Sequence, residues 1–81
     1  MDKKNTIELS VILPVLNEAK NLEFLIPQIA KKLTEMNFDE FEILVVDDNS
    51  TDNTKEIVKI YEDSQNKACY ILRKDFRSLP L

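Results

Sequence analysis

The chain has 81 residues, room for one domain or less, and its 43% hydrophobic and 32% charged residues suit a folded core better than disorder. Eleven basic residues against 15 acidic give a net charge of −4, the reverse of the basic surplus that nucleic-acid binders carry. Glycine and histidine are both absent, which excludes glycine-rich phosphate loops, His-based triads and His-ligated zinc.

The N-terminal residues Met1 to Asn5 have no apolar segment behind them of signal-peptide length. No apolar run approaches the roughly 18 residues of a membrane span. The single Cys69 cannot form an internal disulfide. Together these features predict a soluble chain in a reducing compartment, the cytoplasm.

The first predicted strand runs from Glu8 to Val15, with Pro14 expected to end it because proline donates nothing to a ladder. A helix follows. Leu22, Leu25, Ile26, Ile29, Leu33 and Met36 recur at three- and four-residue steps, Asn17 is the expected N-cap, and Glu18 sits in the first turn. Pro27 interrupts the pattern without ending it, so one kinked helix is expected. The second strand, Phe41 to Val46, is apolar on both faces, the mark of a buried parallel strand. After Asp47-Asp48-Asn49-Ser50 a second helix is expected, capped by Ser50 or Thr51, with Thr54, Ile57, Val58 and Tyr61 inward. The third strand is Ala68 to Leu72, with Cys69 expected as a small buried side chain. Without glycine, Asn and Asp must fill the turns that need left-handed backbone.

The order is β-α-β-α-β, an α/β chain with a parallel three-stranded sheet. Right-handed crossovers progressing one way put both helices on one face. The other face is then bare although its strand is apolar there. The reading is half of a Rossmann-like layer, completed by a missing C-terminal half or by self-association, with a self-sufficient small three-layer fold as the competing reading.

Ligands of parallel sheets bind beyond the carboxyl ends of the strands. Pro14 to Glu18, Asp47 to Ser50, and Arg73-Lys74 collect there. Adjacent carboxylates straight after an apolar strand repel each other and suggest one structural Asp and one facing a ligand. A carboxylate accepts hydrogen bonds from a base edge or ribose, or binds Mg²⁺ or Mn²⁺. Asn17 and Glu18 taken alone read as helix-start residues. Arg73 and Lys74 can neutralise phosphate or serve as solvated surface.

Two segments carry a resemblance. Ser10 to Glu18, reading Ser-Val-Ile-Leu-Pro-Val-Leu-Asn-Glu, and Phe41 to Thr54, ending Val-Val-Asp-Asp-Asn-Ser-Thr-Asp-Asn-Thr, resemble the opening of family 2 glycosyltransferases. Within that family the chain looks most like the polyprenol-phosphate, dolichyl-phosphate mannosyltransferase branch, from about Ile7 to Arg73. Leu16 stands where the family usually has an aromatic, and Asn49 where it often has glycine.

The resemblance implies the first half of a GT-A nucleotide-sugar-binding domain over residues 7–81, behind a tail of residues 1–6. It implies sugar transfer from a nucleoside diphosphate donor to an acceptor, a polyprenyl phosphate among the candidates, at the cytoplasmic membrane surface. Pro14, Asn17, Glu18, Asp47, Asp48 and Arg73 match nucleotide-contacting positions. Mg²⁺ or Mn²⁺ is expected for the complete domain, with its Asp-x-Asp ligands and the catalytic base outside this chain. The chain alone is then inactive. The rival readings are a phosphoacceptor receiver domain and a non-catalytic interaction remnant.

Overall fold

The structure, a computed structural model, describes residues 7–62 and 67–73. The expected tail, Lys74 and the segment from Phe76 to Leu81 lie outside the described residues. Five elements follow in order: β1 (Leu9–Val15), α1 (Ala19–Glu35), β2 (Phe41–Asp47), α2 (Thr54–Glu62) and β3 (Ala68–Leu72). The strands form one parallel sheet in the order β1-β2-β3. The β-α-β-α-β reading and the parallel three-stranded sheet are both observed.

The strand register fixes where the loops emerge. Val15 lies opposite Asp47, and Asp47 lies opposite Leu72. All three strands therefore end level, and their following loops leave from one edge.

Both helices cover one sheet face. Phe41, Ile43 and Val45 of β2 are buried there against Leu22, Ile26, Ala30 and Leu33 of α1 and Ile57 and Val58 of α2. The helical stripe is narrower than its spacing suggests. Ala19 and Ala30 join it, while Leu25 and Met36 are largely exposed. Met36 is the C-cap, and Asn37 turns left-handed after it (φ 67°). The Asn37 and Phe38 amides then donate to the carbonyls of Thr34 and Leu33, closing the helix in a Schellman motif without glycine. Pro27 lies inside this single helix.

Three expectations need correction. β1 ends at Val15 as expected, but Pro14 lies inside it and is not what ends it. The Asp48 amide donates to the Val15 carbonyl at 3.0 Å, so the Val15 backbone faces β2 and that of Pro14 faces the open edge. An edge position needs no donor, and proline fits it. Cys69 is exposed rather than buried, because alternation turns it away from the helices. The left-handed positions are Asn17, Asn37 and Asn49 as the composition suggests, but also Lys67 (φ 61°), which no pattern marks.

The second face carries Ile12, Leu44 and Cys69 in one row and Pro14, Val46 and Ile71 in the next. No described helix lies over it. Ile12 is 50% exposed at its centre. An apolar sheet face without a partner associates. Sedimentation of the 81-residue chain is expected to show concentration-dependent self-association, reduced by Ile12→Lys with little loss of melting temperature. A monomer at every concentration would show that the face needs no cover.

Candidate functional site at the strand ends

Two loops leave the level strand ends side by side, residues 16–18 into α1 and residues 48–53 into α2. Asn17 (φ 54°) and Asn49 (φ 64°) take the left-handed turns. The loops then exchange hydrogen bonds. The Asn17 amide donates to Ser50 Oγ at 2.7 Å. Asn17 Oδ1 accepts from the amides of Thr51 (2.8 Å) and Asp52 (3.2 Å). In return the Glu18 amide donates to Thr54 Oγ1 at 3.2 Å, and the Ala19 amide to Asp52 Oδ2 at 3.3 Å.

This arrangement overturns the expected caps. Asn17 is not the N-cap of α1. That position is Glu18, whose side chain makes no cap. The first α1 amides are satisfied across the gap, by Asp52 and Thr54. Ser50 and Thr51 do not cap α2 either. Asp52 Oδ1 accepts from the Thr54 amide (2.9 Å) and hydroxyl (2.5 Å), an Asx turn leading into the helix. The Thr54 hydroxyl bond, with help from the Thr54 and Ala19 amides, holds the Asp52 carboxyl below its ordinary 3.8.

The acidic pair divides. Asp47, last residue of β2, is 1% exposed. Its Oδ1 accepts the Ser50 amide at 3.1 Å and the Ser50 hydroxyl, and its Oδ2 accepts the Tyr70 hydroxyl at 2.7 Å. Desolvation first, and the Asp47 carboxylate second, push the Tyr70 phenol up to about 12. Asp47 thus points into the helix-covered side, among protein partners. Asp48 is exposed, and its Oδ2 lies 3.0 Å from Arg73 Nη1.

Asp48 borders a cavity of 580 Å³ lined by Ile12, Pro14, Val15, Leu16, Glu18, Val46 and Arg73. Four of the six sequence-predicted site residues meet here: Pro14, Glu18, Asp48 and Arg73. Asn17 and Asp47 do not line it. They hold the loops that shape it. Glu18 is half-buried, and its Oε1 accepts the Asn21 side-chain amide at 2.5 Å. The apolar walls Ile12 and Val46 come from the uncovered face, a contribution the linear motifs do not mark. Asp52, Thr54 and Tyr70 were also outside the predicted set. Asp52 and Thr54 stand inside the quoted acidic segment, but their bonds to the start of α1 and that of Tyr70 to Asp47 span 23 to 36 residues, so no local pattern shows what they hold.

The cavity can offer hydrogen-bond acceptors to a ligand's N–H or hydroxyl groups at Asp48, a guanidinium to an anion at Arg73, and an apolar floor. Among the described residues no group of three or more His, Cys, Asp or Glu side chains could hold a metal ion. The expected Mg²⁺ or Mn²⁺ therefore finds no set of protein ligands among them. No described helix is long and apolar enough to cross a membrane.

Residues 10–77 match the family described as Glycosyl transferase family 2. Among curated proteins, the chain is similar to a validoxylamine A glucosyltransferase of Streptomyces hygroscopicus, 36% identical over 67 residues, 83% of this chain and 15% of that protein. It is 32% identical over 73 residues to the GalNAc(5)-diNAcBac-PP-undecaprenol beta-1,3-glucosyltransferase of Campylobacter jejuni, covering 90% of this chain and 22% of that protein. An uncharacterized glycosyltransferase of Synechocystis is 35% identical over 72 residues, 88% and 22% of the two lengths. The chain thus spans about a fifth or less of these relatives.

Two outcomes are expected from the geometry. Asp47→Ala leaves the Tyr70 hydroxyl and the Ser50 amide without their acceptor and is expected to cost about 3 kcal/mol in denaturant unfolding, whereas Asp48→Ala, losing a surface ion pair, costs about 1 kcal/mol or less. Asp52 is depressed in the fold, so its contribution is full above the unfolded value of 3.8 and is lost as pH falls through the lower folded value. Melting temperature against pH should therefore drop below 3.8 more steeply for the parent than for Asp52→Asn.

Proposed function

We propose a function from one established premise: this chain belongs to glycosyl transferase family 2. The chain is the nucleotide-binding half of a glycosyltransferase that moves a sugar from a nucleoside diphosphate donor to an acceptor. Residues 7–81 form the N-terminal portion of that domain, behind a short tail. The observation that carries this reading is the cavity at the strand ends, where Asp48, Arg73, Glu18 and Pro14 meet over an apolar floor.

The chemistry orients the donor. A carboxylate repels a diphosphate, so Asp48 suits the base edge or ribose, whose N–H and O–H groups donate to it. Arg73 offers up to five donors and a fixed positive charge to the phosphates. Its ion pair with Asp48 keeps both groups at the cavity before a ligand enters. Ile12, Pro14 and Val46 supply an apolar surface for a flat base.

The acceptor is a hydroxyl or phosphate compound, and a polyprenyl-linked one is the version we favour. The Campylobacter relative, whose name includes PP-undecaprenol, supports it, and the polyprenol-phosphate branch that the chain resembles from about Ile7 to Arg73 points the same way. Such an acceptor places the work in the cytoplasm, at the membrane surface. A divalent cation would shield the donor's phosphates when bound. Its ligands, by the family resemblance, come from residues outside this chain, and no step passes through it.

Ligand-observed NMR titration with UDP and GDP tests the reading. Binding is expected for at least one of them, weakened by Asp48→Ala and by Arg73→Ala roughly ten- to a hundredfold, the range for one charged hydrogen bond. Nucleotide affinity unchanged by Asp48→Ala would remove the site assignment. The 81-residue chain has no histidine, its Asp48 is paired with Arg73 and its Glu18 with Asn21, and it is expected to turn over no nucleotide sugar in a donor-hydrolysis assay.

A further inference from the structure

We infer that Thr54 and Asp52 are positioning residues of the nucleotide site, acting from the far loop through Glu18 and Asp48 without touching the ligand. This rests on the reading of the cavity as a nucleotide site. Thr54 is 0% exposed, and its hydroxyl does two jobs at once. It accepts the Glu18 amide at 3.2 Å and donates to Asp52 Oδ1 at 2.5 Å. Asp52 Oδ2 takes the next amide, Ala19, at 3.3 Å. The backbone carrying the cavity residue Glu18 is thus held at its amide by Thr54 of α2, while its carbonyl takes the Leu22 amide of its own helix at 2.9 Å.

The cross-loop network to which Thr54 and Asp52 belong also brackets Asp48. Its own amide is tied to Val15 at 3.0 Å. Four residues on, the Asp52 amide is tied to Asn17 Oδ1 at 3.2 Å. Between these ties the backbone makes its left-handed turn at Asn49, and that turn sets which way Asp48 leaves the strand. Neither Thr54 nor Asp52 lines the cavity. A loss of affinity on removing either must therefore pass through the loops.

A threonine hydroxyl can be removed without changing shape, which makes Thr54→Val the sharp test, with Thr54→Ser as the rescue. Affinity for UDP or GDP is measured by ligand-observed NMR for the parent, Thr54→Val, Thr54→Ser, Asp48→Ala and the double variant Asp48→Ala with Thr54→Val. The clasp predicts a roughly tenfold loss for Thr54→Val and near-parent affinity for Thr54→Ser. It also predicts a less-than-additive loss when Thr54→Val is added to Asp48→Ala, since one of the clasp's two arms acts through Asp48 and the other through Glu18.

A helix cap that served stability alone would lower the melting temperature of Thr54→Val and leave affinity of the folded fraction at the parent value. That result overturns the inference. Additive losses in the double variant overturn it as well. Affinity unaffected by Asp48→Ala overturns the reading of the cavity itself, and is told apart because Thr54→Val is not involved. Should Thr54→Val not fold, Asp52→Ala, at an exposed position, carries the same cycle with the same outcomes.

Discussion

Every feature of the site depends on two helices that begin beside each other at one sheet edge. The first amides of a helix have no partner inside it. Here the start of α1 is served from the other loop, and that loop's own amides are served in return. Asn17, ahead of α1, takes the amides of Thr51 and Asp52. Asp52 and Thr54, at the start of α2, take those of Ala19 and Glu18. The exchange is possible only because Val15 and Asp47 are opposite each other in the ladder, which brings both loops out level. A shift of one residue would turn β1's side chains over and separate the donors from their acceptors.

That constraint explains how two adjacent carboxylates coexist. Successive strand residues point to opposite faces, so Asp47 goes inward and Asp48 outward at the end of β2. Burying an unpaired carboxylate costs many kcal/mol. Asp47 is not unpaired: two donors from Ser50 and one from Tyr70 surround it. Ser50 is held there in part by the Asn17 amide on its hydroxyl. The buried Asp therefore belongs to the same network as the clasp, and the exposed one is its product, a carboxylate presented to a cavity from a braced turn. Arg73 then tempers its charge from the end of β3.

The elements were legible because they are local. Period-2 and period-3.6 spacing found all three strands and both helices, and the bounds of β3 are those expected. The double-sided apolar run of Phe41 to Val46 foretold both the covered core and the bare face. The caps were not legible. Asn17 followed by an acid is a standard N-cap pattern, yet its oxygen serves a loop over thirty residues away. Pro14 read as a terminator because a sequence does not say which side of a strand is open. Cys69 read as core because it lies inside a strand pattern, which does not say which face a given strand residue takes. Four of the six site residues converge on the cavity, and the two that do not, Asn17 and Asp47, share a motif with those that do. Sequence motifs keep the support and the contact together, and only geometry separates them.

The cavity and the bare face are one surface. Ile12, Pro14 and Val46 belong to the uncovered side of the sheet and also line the cavity beside Asp48. A ligand resting on them would meet side chains whose outer neighbours, Leu44 and Ile71, have no described cover. Whatever packs on that face stands at the cavity's rim and sets how far a ligand can slide along the sheet. It also excludes water, which strengthens the pull of Arg73 on an anion and the pull of Asp48 on a donor group. The loops decide the direction of the polar groups, and the covered sheet decides the dielectric in which they act. The first of these is complete within this chain. The second depends on what lies over Ile12 and Leu44, which no described helix covers.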